Sequence, residues 1–222
     1  MPLKDDNKNK SDHKLKEILK LLKKNYALVV IDTLNSPYPG YEGYIQKVDH
    51  NLVYLSSTIN ERPYSIVPIS NIIDIYAINV EVDEKKVGKI RDDINKIIQE
   101  GINNKEKGSI LTAIKELDDS QEDSLLIKIY TKSIVYQVYD EIKLNQISNS
   151  NEEFLFIYYE ETNQSRSKEV MIIFPQNSID SIIIYNDITK PVIKHLPKEK
   201  TIMNLYNKSE EDLKIAKNSP EE

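Results

Sequence analysis

The fold of this chain is decided by one short stretch, Gly43-Tyr44-Ile45-Gln46-Lys47-Val48-Asp49. All of it but Asp49 lies in the run Tyr41 to Val48, which a Pro/Gly turn precedes and a polar turn follows, and these bounds predict a strand. We expect Gly43 to lie where this strand bends sharply to close a small sheet, because a side chain there would crowd the opposite wall. Val48 is predicted to enter the core. Asp49 is predicted to accept backbone N–H groups in the following turn.

Strand-like segments continue on both sides of that stretch, and a helix precedes them. Residues 13–24 place Leu15, Ile18, Leu19 and Leu22 at helical spacing, with lysines on the other face. Short apolar runs bounded by Pro, Gly, Asp and Asn then predict five strands, at 27–34, 41–48, 52–57, 64–67 and 72–82. The first half is therefore predicted to be one helix followed by five strands.

The same order of elements returns in the second half. Helical spacing covers residues 84–117 with a loop at 101–108, and strand-like runs follow at 125–130, 134–147, 154–160, 170–174 and 179–185. Val67-Pro68 with Ile72 and Ile75 recurs as Phe174-Pro175 with Ile179 and Ile182, at a constant separation of 107 positions, which indicates duplication. We divide the chain into a disordered leader (1–12), a first barrel domain (13–83), a helical linker (84–108), a second barrel domain (109–188) and a C-terminal helix or tail (189–222).

The stretch from Gly43 to Asp49 resembles the first motif of the Sm-like family, which includes the Sm, Lsm and Hfq proteins. Leu52-Val53-Tyr54-Leu55 then resembles the third strand of that family. The resemblance implies a mainly β fold with helices, made of two SH3-like, Sm-like five-stranded small barrels, each preceded by an α-helix. It also implies a non-catalytic protein that associates with single-stranded RNA and with copies of itself through barrel edge strands.

The positions at which that family grips an RNA base carry other residue types here. One falls at or near Val53, and the other at the turn Ile69-Ser70-Asn71, with Gln176-Asn177-Ser178 as its counterpart in the second half. Neither turn carries a cation.

The candidate RNA-binding residues lie in two turns and on the leading helix. Asp49-His50-Asn51 offers an acceptor, a ring and an amide, although a turn that needs Asp and Asn for its own backbone is the more ordinary explanation. Ser70 and Asn71 complete the turn site. Lys16, Lys20 and Lys23 supply a basic face, which is also ordinary for an exposed amphipathic helix. The tyrosines near the first turn, Tyr38, Tyr41, Tyr44 and Tyr54, are either a stacking platform or half-buried sheet residues.

Composition argues against several classes of protein. The 222 residues carry a net charge of −6, with arginine only at Arg62, Arg91 and Arg166, which argues against duplex DNA as a partner. The absence of cysteine excludes disulfides and thiolate metal sites. No apolar run approaches the roughly 20 residues that span a bilayer, so we expect a cytoplasmic protein without a membrane partner.

Two functions remain open. His13, His50 and His195 stand at no ligand spacing, so we predict no metal or other cofactor. No nucleophile elbow, phosphate loop or paired carboxylate motif is present, so we predict no enzyme. The chain is then either an RNA-associated Sm-like protein or a protein–protein scaffold or adaptor whose degenerate barrels bind no RNA.

Overall fold

The structure is a computed structural model, and it describes residues 6–34, 40–59, 61–81, 84–100, 125–132, 138–163 and 166–186. Two α-helices and eleven strands lie in these ranges. They are α1 (Asp6–Lys24), β1 (Leu28–Thr33), β2 (Tyr41–Asp49), β3 (Leu52–Ser56), β4 (Ser65–Pro68), β5 (Ile72–Glu81), α2 (Lys89–Gln99), β6 (Leu125–Thr131), β7 (Val138–Lys143), β8 (Ile147–Ser150), β9 (Phe154–Asn163), β10 (Arg166–Pro175) and β11 (Ile179–Asn186). The prediction of a mainly β chain with helices is confirmed.

The strands form two antiparallel sheets. The larger has eight strands in the order β4-β3-β2-β1-β5-β10-β9-β8, and the smaller has three in the order β11-β6-β7. Every described pair of neighbouring strands is antiparallel. Among the described residues this pairing closes neither sheet into a barrel, so two separate five-stranded barrels do not emerge from it. The reason is that β5 pairs with β1 on one side and with β10 on the other, which joins the halves in one sheet.

The pattern of pairing within each half is nevertheless the same. A 3₁₀ turn precedes the last strand of each half, at Ile69–Asn71 and at Gln176–Ser178. The N–H of the first residue of each turn donates to the carbonyl of the residue just before β3 or β9. These bonds run from Ile69 to Asn51 and from Gln176 to Glu153, both at 2.8 Å. The register recurs too, in the pairs Ile31↔Ile75 and Ile129↔Ile182, and in Val53↔Val67 and Leu155↔Phe174.

One predicted strand is broken in two. The run at 134–147 becomes β7, a 3₁₀ turn at Leu144–Gln146 and then β8, and the two strands join different sheets. The chain bends between β7 and β8 through this 3₁₀ turn, which contains no glycine. The Lys143 N–H donates to Gln146 Oε1 at 2.9 Å and holds the bend.

The helices also depart from their predicted bounds. α1 begins at Asp6 and so includes part of the predicted disordered leader. α2 covers Lys89–Gln99, while the rest of the predicted helical region after residue 100 and the tail after residue 186 lie outside the described residues.

The large sheet lies between the helices and the small sheet. Leu15, Ile18, Leu19 and Leu22 of α1 and Ile90, Ile94 and Ile98 of α2 cover one face. The small sheet covers the other, through Ile127, Ile129 and Ile142. All six residues of β1 are buried because this strand lies at the centre of the sandwich, which explains its unbroken run of apolar residues from Leu28 to Ile31. Each such Leu or Ile contributes about 2 kcal/mol through burial.

A buried carboxylate holds the seam between the halves, which is the pairing of β5 with β10. Glu169 is 1% exposed and lies directly opposite Asn79. Its Oε2 accepts from Asn79 Nδ2 at 2.7 Å, and its Oε1 accepts from the Gly88 N–H at 2.8 Å and the Tyr158 hydroxyl at 2.9 Å. Burial, with the neighbouring Glu160 and Glu169 carboxylates, raises the pKa of Tyr158 well above its ordinary value, so its hydroxyl stays a donor.

Candidate nucleic-acid interface

Two turns of the first half are held side by side. The turn between β2 and β3 and the 3₁₀ turn Ile69–Asn71 share the hydrogen bond from the Ile69 N–H to the Asn51 carbonyl. This bond brings five of the predicted RNA-binding residues into one part of the surface. Asp49 is half-buried there, and His50, Asn51, Ser70 and Asn71 are exposed.

Asp49 is the electrostatic centre of the first turn. Its Oδ2 accepts from Lys47 Nζ at 2.7 Å, and its Oδ1 lies 2.6 Å from His50 Nδ1. The hydrogen bond from Lys47, followed by that from His50, lowers the pKa of Asp49 to about 2, and Asp49 in turn raises the pKa of Lys47. His50 has a φ of 41° and a side chain that is 93% exposed, so its ring projects into solvent beside an ionised carboxylate.

Lys47 supplies a cation that the sequence reasoning did not assign to this site. Lys47 and Tyr54 are register partners on β2 and β3, and Lys47 Nζ lies 5.6 Å from the centre of the Tyr54 ring. The available signal was the spacing of Lys47 and Asp49, because residues two apart on a strand share a face. A half-buried ring with a cation over it, beside a turn rich in acceptors, is suited to an unstacked base and its phosphate.

A cleft of about 490 Å³ opens beside the second turn. Ser70 and Asn71 contribute to its lining, and Asn177 contributes from the corresponding 3₁₀ turn of the second half. Lys132, which follows β6, donates from Nζ to the Asn177 carbonyl at 2.6 Å and also lines the cleft. Part of the predicted site therefore faces a groove to which both halves contribute.

The lysines of α1 lie on a helix that packs against β2 and against the 3₁₀ turn Ile69–Asn71. Lys20 and Lys23 are exposed, whereas Lys16 is half-buried. Lys20 Nζ is 2.7 Å from Glu17 Oε1, so part of its charge is already balanced. The basic face is thus adjacent to the turns but weaker than the count of lysines indicates.

The turn at residues 151–153 of the second half corresponds to the turn between β2 and β3, and hydrogen bonds tie it to the helices. Lys14 of α1 donates to Glu153 Oε2 at 2.5 Å and to the Ile98 carbonyl, at the end of α2, at 3.0 Å. Asn151 Nδ2 donates to the same carbonyl at 3.0 Å. Glu152 is exposed, whereas Asn151 and Glu153 are half-buried.

Gly43 and Val48 have structural surroundings. Gly43 has a φ of 151°, and a Cβ there would lie 2.3 Å from the Ser56 carbonyl O of β3. Because the backbones of β2 and β3 approach so closely, only glycine is accommodated at this position. Val48 is partly buried and packs against the core beneath α1.

Two carboxylates lie side by side in the interior, although the sequence shows no paired carboxylate motif. Asp32 of β1 and Asp74 of β5 are register partners, and each is 1% exposed. They offer no surface at which a substrate would meet them. Within the described ranges, no group of three or more His, Cys, Asp and Glu side chains is placed to hold a metal ion.

No protein-family model matches the chain, and neither the curated proteins nor the solved structures include a significant match. Neither helix in the described part of the chain has the length and apolar character needed to cross a membrane.

Proposed function

We propose that this chain is a non-catalytic cytoplasmic protein made of two Sm-like units in tandem, and that it associates with single-stranded RNA. The recurring order and register of the strands support the tandem arrangement. Each half, with β7 and β8 counted as one bent strand, has its last strand beside its first and its remaining strands in a meander.

The observation that carries the RNA proposal is the group formed by Lys47, Asp49, His50 and Tyr54 next to the turn Ile69–Asn71. Lys47, whose charge is partly balanced by Asp49 at 2.7 Å, offers its remaining N–H groups to a phosphate, and the rings of Tyr54 and His50 offer faces for bases. Ser70 and Asn71 add hydroxyl and amide groups that suit base edges. The net charge of −6 keeps such a contact local, since the surface as a whole repels RNA.

A fluorescence anisotropy titration tests this proposal. Labelled oligo-U and oligo-A would be titrated with the wild-type chain and with Lys47→Glu across a salt series. If about three phosphates are contacted, raising the salt fourfold weakens binding by roughly 20-fold, as expected for single strands. Lys47→Glu is expected to weaken binding by about tenfold because it places a negative charge at the phosphate contact.

The matched control is Lys96→Glu. Lys96 is an exposed lysine of α2 that also pairs with a carboxylate, Asp93, at 3.2 Å. Its replacement is expected to leave the affinity within a factor of two. A wild-type chain that binds neither oligomer at low salt, or equal losses in the two variants, would overturn the proposal.

A scaffold or adaptor is the second candidate. Leu34 and Ile66, which line the cleft, are 50% and 58% exposed, and such apolar groups suit an inserted protein side chain. A pull-down after nuclease treatment separates the candidates. The scaffold function predicts a partner that survives nuclease and is lost with Ile66→Asp, and loss of every partner on nuclease treatment contradicts it.

A further inference from the structure

Among the described strands, β4 is the free edge of the large sheet on the side of the first half. Its counterpart in the second half is β10, whose residues 167–173 pair with β5 to form the seam. On its other side, β4 pairs with β3, and β10 pairs with β9 in the same way. β4 is therefore the place where a second copy of the chain would repeat the seam, by adding its own β11, which is the counterpart of β5.

The residues before β4 differ from their counterparts in the seam. The separation of 107 positions that relates Pro68 to Pro175 aligns Glu61-Arg62-Pro63-Tyr64 with Lys168-Glu169-Val170-Met171. Glu169 and Met171 are 1% and 0% exposed. Arg62 is exposed, and Tyr64 is 58% exposed. The residues before β4 are thus exposed, whereas residues 168–171 of the seam are buried.

The backbone of this segment is not available as a regular strand. β4 has 4 residues, whereas β10 has 10. Pro63 has no N–H to give to a ladder, and β4 begins only at Ser65. The Tyr64 N–H donates to the Leu55 carbonyl at 2.9 Å, although the register partner of Leu55 is Ser65, so two residues oppose one as in a bulge. The Tyr64 hydroxyl also donates to the Glu42 carbonyl, which ties the segment back to β2.

We propose that residues 61–64 form an edge guard, which stops β11 of a second copy from adding to β4, so that each chain makes one seam and stays a single body. Short strands, prolines, bulges and charges are the devices by which sheets avoid pairing at their edges. This replaces the self-association through edge strands that the family resemblance implied. It stands independently of RNA binding.

The experiment transplants the seam sequence into the guard. The variant carries Glu61→Lys, Arg62→Glu, Pro63→Val and Tyr64→Met, which copies residues 168–171 of the same chain. Native mass spectrometry and sedimentation velocity over a concentration series are expected to give one chain for the wild type and masses of several chains for this variant. The control carries only Glu61→Lys and Arg62→Glu, which leaves net charge and Pro63 unchanged, and is expected to remain a single chain.

Hydrogen exchange on the wild type provides a measurement that does not depend on the variant folding. If residues 61–64 form an edge guard, we expect the amides of β4 to exchange at the same rate at low and high protein concentration. Concentration-dependent protection of β4, a wild-type mass above one chain, or a variant with wild-type circular dichroism that remains a single chain would each overturn the proposal.

Discussion

Replacing Glu169 with alanine is expected to destabilise the protein by about 3 kcal/mol, because the seam then loses its buried acceptor. The Tyr158 hydroxyl keeps a partner, since it also lies 2.6 Å from Glu160 Oε1. Asn79 Nδ2 and the Gly88 N–H lose the bonds they make at 2.7 and 2.8 Å. Two buried donors left without an acceptor cost roughly 1–3 kcal/mol each, and relief of the buried charge offsets part of that cost.

The conservative variant Glu169→Gln separates the acceptor from the charge. Its side-chain carbonyl keeps the bond to Gly88, and Asn79 turns its amide so that its own oxygen accepts from the new NH₂ group. We therefore expect a loss of only about 1 kcal/mol. Glu100→Ala is the control, because Glu100 is exposed at the end of α2, and its loss should stay within about 0.5 kcal/mol.

Urea unfolding followed by circular dichroism measures these differences, with the slope of the transition checked for constancy. For a chain of this length, 3 kcal/mol corresponds to a fall in Tm of about 10 °C. The reasoning is refuted if Glu169→Ala and Glu100→Ala unfold at the same urea concentration. It is refuted equally if Glu169→Gln is as destabilising as Glu169→Ala, since the acceptor would then be irrelevant.

Two further predictions concern the turn region of the first half. Gly43→Ala is expected to lower the free energy of unfolding by about 3 kcal/mol, because its Cβ would meet the Ser56 carbonyl O of β3. Calorimetry measures this loss, and an unchanged Tm would contradict the prediction. The pKa of Asp49 is lowered to about 2, so its stabilising contact is present above the unfolded pKa of about 4 and is lost as pH falls towards 2. Lys47→Met is expected to raise the pKa of Asp49. An NMR titration of the carboxyl ¹³C shift of Asp49 that gives the same pKa in both proteins would contradict this assignment.

The elements most readily predicted from sequence are those with an uninterrupted pattern. The run from Tyr41 to Val48, set off by turns at both ends, predicted β2, and the spacing of Leu15, Ile18, Leu19 and Leu22 predicted the buried face of α1. In both cases the pattern is local, because each residue contacts the core through the geometry of its own element. The constant separation of the Pro68 and Pro175 segments likewise corresponds to the same pairing in each half.

The joining of the halves could not be read from local patterns. β5 is apolar along most of its length, which is compatible with burial by a sheet of its own or with pairing to another unit, and nothing within residues 72–82 distinguishes the two. Asn79, a polar residue of this strand, finds its partner 90 positions further on, at Glu169. The position of Lys47 over Tyr54 was hidden for the same reason, because it depends on the register between two strands.

The seam also sets a schedule for synthesis. β5 ends at Glu81 and β10 begins at Arg166, so roughly 85 residues must be translated between them, which takes about 4–17 s at ordinary ribosomal speeds. During that interval, one edge of β5 has no partner strand from its own chain. A ribosome that pauses within this window leaves a ten-residue ribbon open to neighbouring nascent chains, and brisk elongation past Pro175 removes that hazard.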